Sequence, residues 1–170
     1  DGPAVQWLID VTKKLRTALP KDKGYLISHT PQAPYFNMGY EKIAKAVADD
    51  IDYFTIQFYN QGEDKYTTYD GLVNKETFPL VPASFPTWDG SIKNILKVTG
   101  LPASKIIVGK YIVPPKDGNN GHVDPATLGA WLKRASGEGI TVGGVMAWQF
   151  GSDTDGKWMS QVQKAFDPSP

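Results

Sequence analysis

The chain has 170 residues, 41% apolar and 21% charged, and its 18 basic and 18 acidic side chains balance to a formal net charge of zero. That length suits one domain with its own core, and the balanced charge gives no reason to expect nucleic acid or an anionic membrane as a partner. The lack of cysteine excludes a disulfide framework and any thiolate metal site, and no apolar run approaches the roughly 20 residues that span a bilayer.

The first three residues, Asp1-Gly2-Pro3, are neither a start methionine nor a signal peptide, which points to a processed or trimmed product. Residues 3–18 read as a helix: Val5, Leu8, Ile9, Val11 and Leu15 recur near a 3.6-residue period, and Pro3 suits a first turn. Lys13, Lys14 and Arg16 read as its solvated face. Leu19-Pro20 ends it. A short strand follows near 25–29, stopped by the Pro31-to-Pro34 turn, and then a helix from about Glu41 to Ala48.

The second strand spans 51–59. The polar, Gly- and Pro-rich connection from Asn60 to Asp89 is long enough to predict either function or small elements of its own. A helix from Ser91 to Thr99 leads to a third strand at 106–112, and Pro114 to Gly121 is a turn-rich loop. Asp124-Pro125 caps a helix that runs to about Ala135. The fourth strand lies at 142–150, and a closing helix at about 157–166.

A helix followed by four strand–helix units predicts an α/β fold with a parallel sheet and right-handed crossovers. Four such units, (β/α)4, are half of an eight-stranded TIM barrel, which takes about 250 residues. A half-barrel leaves two sheet edges and an open inner face for a partner to cover.

In a parallel barrel the reactive groups stand at the C-terminal ends of strands. Gln57 and Tyr59 are two residues apart and share a face, as do Met146 and Trp148. A carboxamide and a phenol there suit hydrogen bonds to an N-acetyl group, and Trp148 suits the floor of a sugar subsite. All three equally suit a barrel interior with satisfied hydrogen bonds. Asn60 and Gln149 either hold loops or reach the cleft, and Tyr35 and Tyr111 are wall or rim positions. The two histidines, His29 and His122, fall in unrelated segments, so no metal site is expected. Asp153-Thr154-Asp155-Gly156 opens like a calcium loop, but the twelfth position is Lys164, which makes it a polar turn. No cofactor is expected.

Four blocks together carry a family resemblance: Ser28-His29-Thr30-Pro31-Gln32-Ala33-Pro34-Tyr35, Ile56-Gln57-Phe58-Tyr59-Asn60-Gln61-Gly62, Lys105-Ile106-Ile107-Val108-Gly109-Lys110 and Gly144-Val145-Met146-Ala147-Trp148-Gln149-Phe150. They resemble glycoside hydrolase family 18, above all its fungal and plant-type chitinases and endo-β-N-acetylglucosaminidases. The resemblance implies the C-terminal half of the barrel, strands five to eight, preceded by the helix after strand four. It implies secretion and a β-1,4-linked N-acetylglucosamine substrate, in chitin or an N-glycan core.

The resemblance also implies a retaining mechanism in which the substrate's own acetamide attacks the anomeric carbon. Tyr59 matches the tyrosine that steadies the acetamide oxygen, with Gln57 beside it, and Trp148 matches the sugar floor. The family's Asp-x-x-Asp-x-Asp-x-Glu strand, which carries the acid, is missing from the sequence, and so is its Ser-x-Gly-Gly block. The chain alone is therefore expected to bind rather than cleave. Two arrangements are open: half of an enzyme completed by an N-terminal half-barrel, or a stand-alone glycan-binding or defence protein that pairs with a second copy.

Overall fold

A computed structural model describes residues 3–62, 64–78, 88–113 and 121–166. The turn-rich loop expected at 114–121 lies, apart from Gly121, outside the described residues. Among the described residues the α-helices are, in chain order, α1 (Pro3–Ala18), α2 (Tyr40–Ala46), α3 (Ile92–Thr99), α4 (Pro125–Gly137) and α5 (Lys157–Phe166). The strands are β1 (Ser28–His29), β2 (Tyr53–Gln57), β3 (Thr77–Phe78), β4 (Trp88–Asp89), β5 (Ile106–Tyr111) and β6 (Gly144–Trp148).

Strands β1, β2, β5 and β6 form one parallel sheet in that order. The remaining two, β3 and β4, pair antiparallel within the long connection after β2, which thus has small elements of its own. The first sheet strand is far shorter than the stretch 25–29, because Tyr25 and Leu26 stay exposed. Each of the other three strands also ends inside the range read from its apolar run.

Register fixes what each face carries. Phe54 pairs with Ile106, Ile56 with Val108, and Val108 with Val145, so these side chains share the helix-facing side. Phe54, Ile56, Ile106 and Val108 are fully buried there, each contributing about 1.5–3 kcal/mol of apolar burial. On the opposite side, Tyr53, Thr55, Gln57, Ile107 and Met146 are only half-buried. One face of the sheet therefore holds the core and the other is open.

Local chemistry sets the helix boundaries. Ser91 accepts a hydrogen bond from the Asn94 N–H to start α3, and Asp124 accepts one from the Thr127 N–H at 3.0 Å to start α4 with Pro125 in its first turn. The polar turn at Asp153 is a cap: its carboxylate accepts from the Trp158 N–H at 2.9 Å and the Met159 N–H at 3.1 Å, at the start of α5. Helices α4 and α5 pack so closely at Gly129 that a Cβ there would stand 2.5 Å from the Ala165 Cβ.

Arg16 departs from its expected place on a solvated face. Its side chain is 11% exposed. The guanidinium donates to the Asp50 carbonyl at 2.8 Å, to the Leu19 and Tyr25 carbonyls at 3.0 and 3.1 Å, and to the Asp52 carboxylate at 2.5 Å. This one residue ties α1 to the starts of β1 and β2.

Candidate functional site

The C-terminal ends of β2, β5 and β6 meet in a cluster of aromatic side chains. Gln57 pairs with Gly109 and Gly109 with Met146, so these three form one layer on the open face. One layer further along, Tyr111 pairs with Trp148. Tyr59, just past the end of β2, stacks on Trp148 with ring centroids 6.3 Å apart and planes 24° apart. Its centroid is also 6.3 Å from that of Tyr111, at 58°. Such offset and tilted pairs are favourable beyond their area.

Burial divides the work within this cluster. Tyr59 is 3% exposed and Trp148 47%, so the tyrosine is the floor and the tryptophan offers a free indole surface. Burial raises the Tyr59 hydroxyl above its ordinary value of 10.0, which keeps it protonated as a hydrogen-bond donor at neutral pH. Gly109 makes room for its neighbour: a Cβ there would stand 2.8 Å from the Met146 Cε and 2.7 Å from the Ile56 carbonyl oxygen.

Other residues singled out in the sequence take different places. The Gln57 Nε2 donates to the Thr30 carbonyl at 2.8 Å, so its amide N–H serves the β1–β2 seam and its oxygen is left as an acceptor. Asn60 is exposed beside the cluster with a left-handed backbone, φ 61°. Gln149 is exposed beyond Trp148, joined to it by a cis peptide bond. Tyr35, in the short 3-10 turn Ala33–Asn37, instead lines a surface hollow with Leu8, Met38 and Ile43.

His29 sits between helices and sheet, within hydrogen-bond reach of Thr12 and Tyr40, far from any metal-like arrangement. Among the described residues no group of three or more His, Asp or Glu is placed to hold a metal ion, and no helix is long and apolar enough to cross a membrane.

The sequence places Lys110 at a strand end but does not reveal its depth or its partners. Lys110 points to the helix-facing side and is fully buried. Its Nζ donates to the Phe58 carbonyl at 3.0 Å and the Tyr66 carbonyl at 2.9 Å. Burial pulls this lysine down to about 7, against a smaller opposing pull from Glu76. Glu76 accepts from the Tyr66 N–H at 2.9 Å and from Lys65 at 3.2 Å. A lysine inside an apolar strand was the available signal. Phe150, 93% exposed beside Trp148, also went unnoticed because apolar runs are read as buried.

The C-terminal ends of the four parallel strands carry no carboxyl group, so the cluster can stack on a ring and offer hydrogen bonds, but its described residues supply no acid.

No family model matches the chain, and no curated protein does. Solved structures do. A family 18 chitinase from Pseudoalteromonas aurantia is 28% identical with a TM-score of 0.74, over 95% of this chain and 53% of that one. A fungal endo-β-N-acetylglucosaminidase of family 18 is 19% identical with a TM-score of 0.68, over 97% of this chain and 53% of that one. A mutant plant class V chitinase from Cycas revoluta, solved with (GlcNAc)3, is 11% identical with a TM-score of 0.60, over 93% and 62%. The chain thus spans about half the length of the first two, and it is a structural match to about half of a glycoside hydrolase family 18 domain.

Proposed function

We propose that the chain is the C-terminal half of a chitinase-like barrel, strands five to eight, with α1 as the helix after strand four. It binds an N-acetylglucosamine-containing glycan, chitin or an N-glycan core, across Trp148, Tyr59 and Tyr111. The observation that carries this reading is Trp148: an indole stacked on a buried tyrosine yet 47% exposed at a strand end. A core tryptophan is enclosed, whereas one that receives a sugar ring keeps a face free. Asn60 and the Gln57 oxygen supply polar contacts beside it.

In the completed site the Tyr59 hydroxyl donates to the acetamide oxygen of the substrate as that oxygen attacks the anomeric carbon, with retention. Burial keeps that hydroxyl protonated, as the step requires. The proton for the leaving group comes from an acid outside this chain, so the chain alone is expected to be inactive. Loss of general acid catalysis removes about 10²–10⁴-fold in rate, and the rest of the orienting machinery is missing with it. A secreted enzyme accords with this reading. The half-exposed inner face and the coverage of half of each relative favour a complementary N-terminal half-barrel as the partner.

The absence of any carboxyl group at the C-terminal ends of the four parallel strands favours one other reading, a glycan-binding half-barrel that works without catalysis. One experiment addresses both. Tri-N-acetylchitotriose is titrated into the chain and into Trp148→Ala, following intrinsic fluorescence, with the sugar examined afterwards for cleavage. Saturable binding, weakened about tenfold by the substitution, with the trisaccharide intact, is the expected result. No binding by a folded chain overturns the glycan reading, and cleavage by the chain alone overturns the need for an external acid.

A further inference from the structure

Behind the aromatic cluster the segment after β2, described at 58–62 and 64–66, leaves the sheet in an unusual shape. Two of its residues, Asn60 and Tyr66, hold left-handed backbones at φ 61° and φ 60°. Neither is glycine, and such conformations persist only where the surroundings over-determine them. At Tyr66 the restraint is complete on every side. Its N–H donates to Glu76 at 2.9 Å, its carbonyl accepts from Lys110 at 2.9 Å, and its hydroxyl donates to the Gly90 carbonyl at 3.2 Å. Its ring meets that of Phe58 edge-on with centroids 5.1 Å apart.

Lys110 joins the two ends of this segment. The same Nζ that holds the Tyr66 carbonyl holds the Phe58 carbonyl, one residue before Tyr59 and two before Asn60. A strand lysine at this depth needs a reason, because burying an ammonium is costly unless it is hydrogen-bonded or paired. Packing alone would be met by methionine or leucine. Two carbonyl acceptors are what a neutral amine, with two N–H groups, satisfies in full, while Glu76 faces the same buried space when the lysine is charged.

We propose that Lys110 is a positioning residue for the cleft: by holding the Phe58 and Tyr66 carbonyls together it seats Tyr59 against Trp148 and turns Asn60 outward. It touches no ligand itself. The charged groups that face it are Glu76, with Lys65 paired to that carboxylate, and Asp89 lies near Tyr66 on β4. None of these can replace a donor aimed at two carbonyl oxygens. The proposal rests on the glycan reading only for its consequence in binding, not for the clamp.

The test compares the chain with Lys110→Met, which keeps the length and removes the donor. The probe is the Tyr59 ring resonance, assigned by its loss in Tyr59→Phe. Stacking on Trp148 gives this signal a ring-current shift. In Lys110→Met, with far-UV circular dichroism unchanged, the Tyr59 signal is expected to lose that shift and tri-N-acetylchitotriose to bind about tenfold more weakly. A folded Lys110→Met whose Tyr59 and Asn60 signals stay in place overturns the proposal. A displaced Tyr59 signal with no sugar binding in either protein leaves the clamp standing and sinks the glycan reading.

If the variant does not fold, the carbonyl carbon signals of the unmodified chain decide, because Lys110 acts on carbonyls. The clamp predicts that the Phe58 and Tyr66 carbonyl signals shift together as pH carries Lys110 through its titration. Carbonyl signals that stay fixed, or that move independently of each other, overturn it.

Discussion

Arg16 shows how far a single residue can stand from what its neighbours in sequence suggest. Lys13, Lys14 and Arg16 form a basic run on a helix, and such runs are usually solvated. The partner that changes this, Asp52, lies 36 residues away. The Asp52 carboxylate also accepts from the Ile27 N–H at 2.6 Å, so one acid fixes α1, the approach to β1 and the start of β2. Burial alone would raise its carboxyl, but the Ile27 N–H, Arg16 and Lys21 outweigh it and hold the group below its ordinary 3.8. A depressed carboxyl contributes stability that is present above the unfolded value and lost as pH falls through the lower folded one. Arg16→Met is therefore expected to cost about 2–3 kcal/mol at neutral pH, and to flatten the loss of stability as pH falls from neutral through and below the ordinary 3.8. Urea unfolding across that range checks both. An unchanged acid limb would mean that Asp52 is held by something other than Arg16. The cluster residues were more legible: Tyr59 and Trp148 stood out because polar or amphipathic groups ended apolar runs. The hydrogen bonds of Gln57 and Lys110 were not, because their partners, carbonyls at Thr30, Phe58 and Tyr66, carry no sequence signature.

Among the elements, the helix–strand alternation was readable because buried parallel strands are short continuous apolar runs and the helices carry 3.6-residue periodicity. The strand ends were not, nor which elements the 60–89 connection holds, since β3 and β4 have two residues each and exist through pairing with each other. Two elements are anchored by basic groups taken out of water, His29 half-buried and Lys110 fully buried. The Thr12 hydroxyl donates to the Leu8 carbonyl at 2.7 Å, so His29 Nε2–H donates to Thr12 and its Nδ1 accepts from the Tyr40 hydroxyl at 2.6 Å. That arrangement clips α1 to β1 and α2 and needs a neutral imidazole. Burial lowers His29 below its ordinary 6.5. Lys110, which anchors the segment after β2, is lowered from 10.5 to about 7. With either group lowered, the unfolded chain binds the extra proton, so stability rises with pH. His29 acts in the window at and below 6.5 and Lys110 from about 7 to 10.5. Tyr40 and Tyr66, both raised by burial, reverse the slope once unfolded tyrosines ionise above 10.0. The melting temperature is thus expected to climb from pH 5 to near pH 10 and then fall, and Lys110→Met is expected to reduce the climb above pH 7, with Lys105, also lowered by burial, supplying what remains. A melting temperature independent of pH between 7 and 10 would contradict the burial of Lys110.

Across the whole molecule the sheet is asymmetric, and that asymmetry was foreseeable from counting four strand–helix units where a closed barrel has eight. Which residues face the opening was not foreseeable without register. Val108 is fully buried against the helices, whereas its neighbour Ile107 faces the open side and is half-buried, with Thr55 and Gly144 in its layer. Truncation at the two positions should therefore read the two faces separately. Val108→Ala leaves a cavity in packed core and is expected to cost about 2 kcal/mol. Ile107→Ala removes a side chain that already touches water, and is expected to cost under about 1 kcal/mol in a dilute solution of the isolated chain. If a partner covers the open face, Ile107 becomes core in the complex, and its truncation should weaken the complex while leaving the free chain almost unaffected. Urea unfolding of both variants at several protein concentrations separates these cases. A cost at Ile107 that grows with concentration would show that copies of the chain cover one another's open faces. A cost that is small at every concentration leaves that face available to a complementary half-barrel, because apolar groups and sheet edges left in water are what a closing partner would bury.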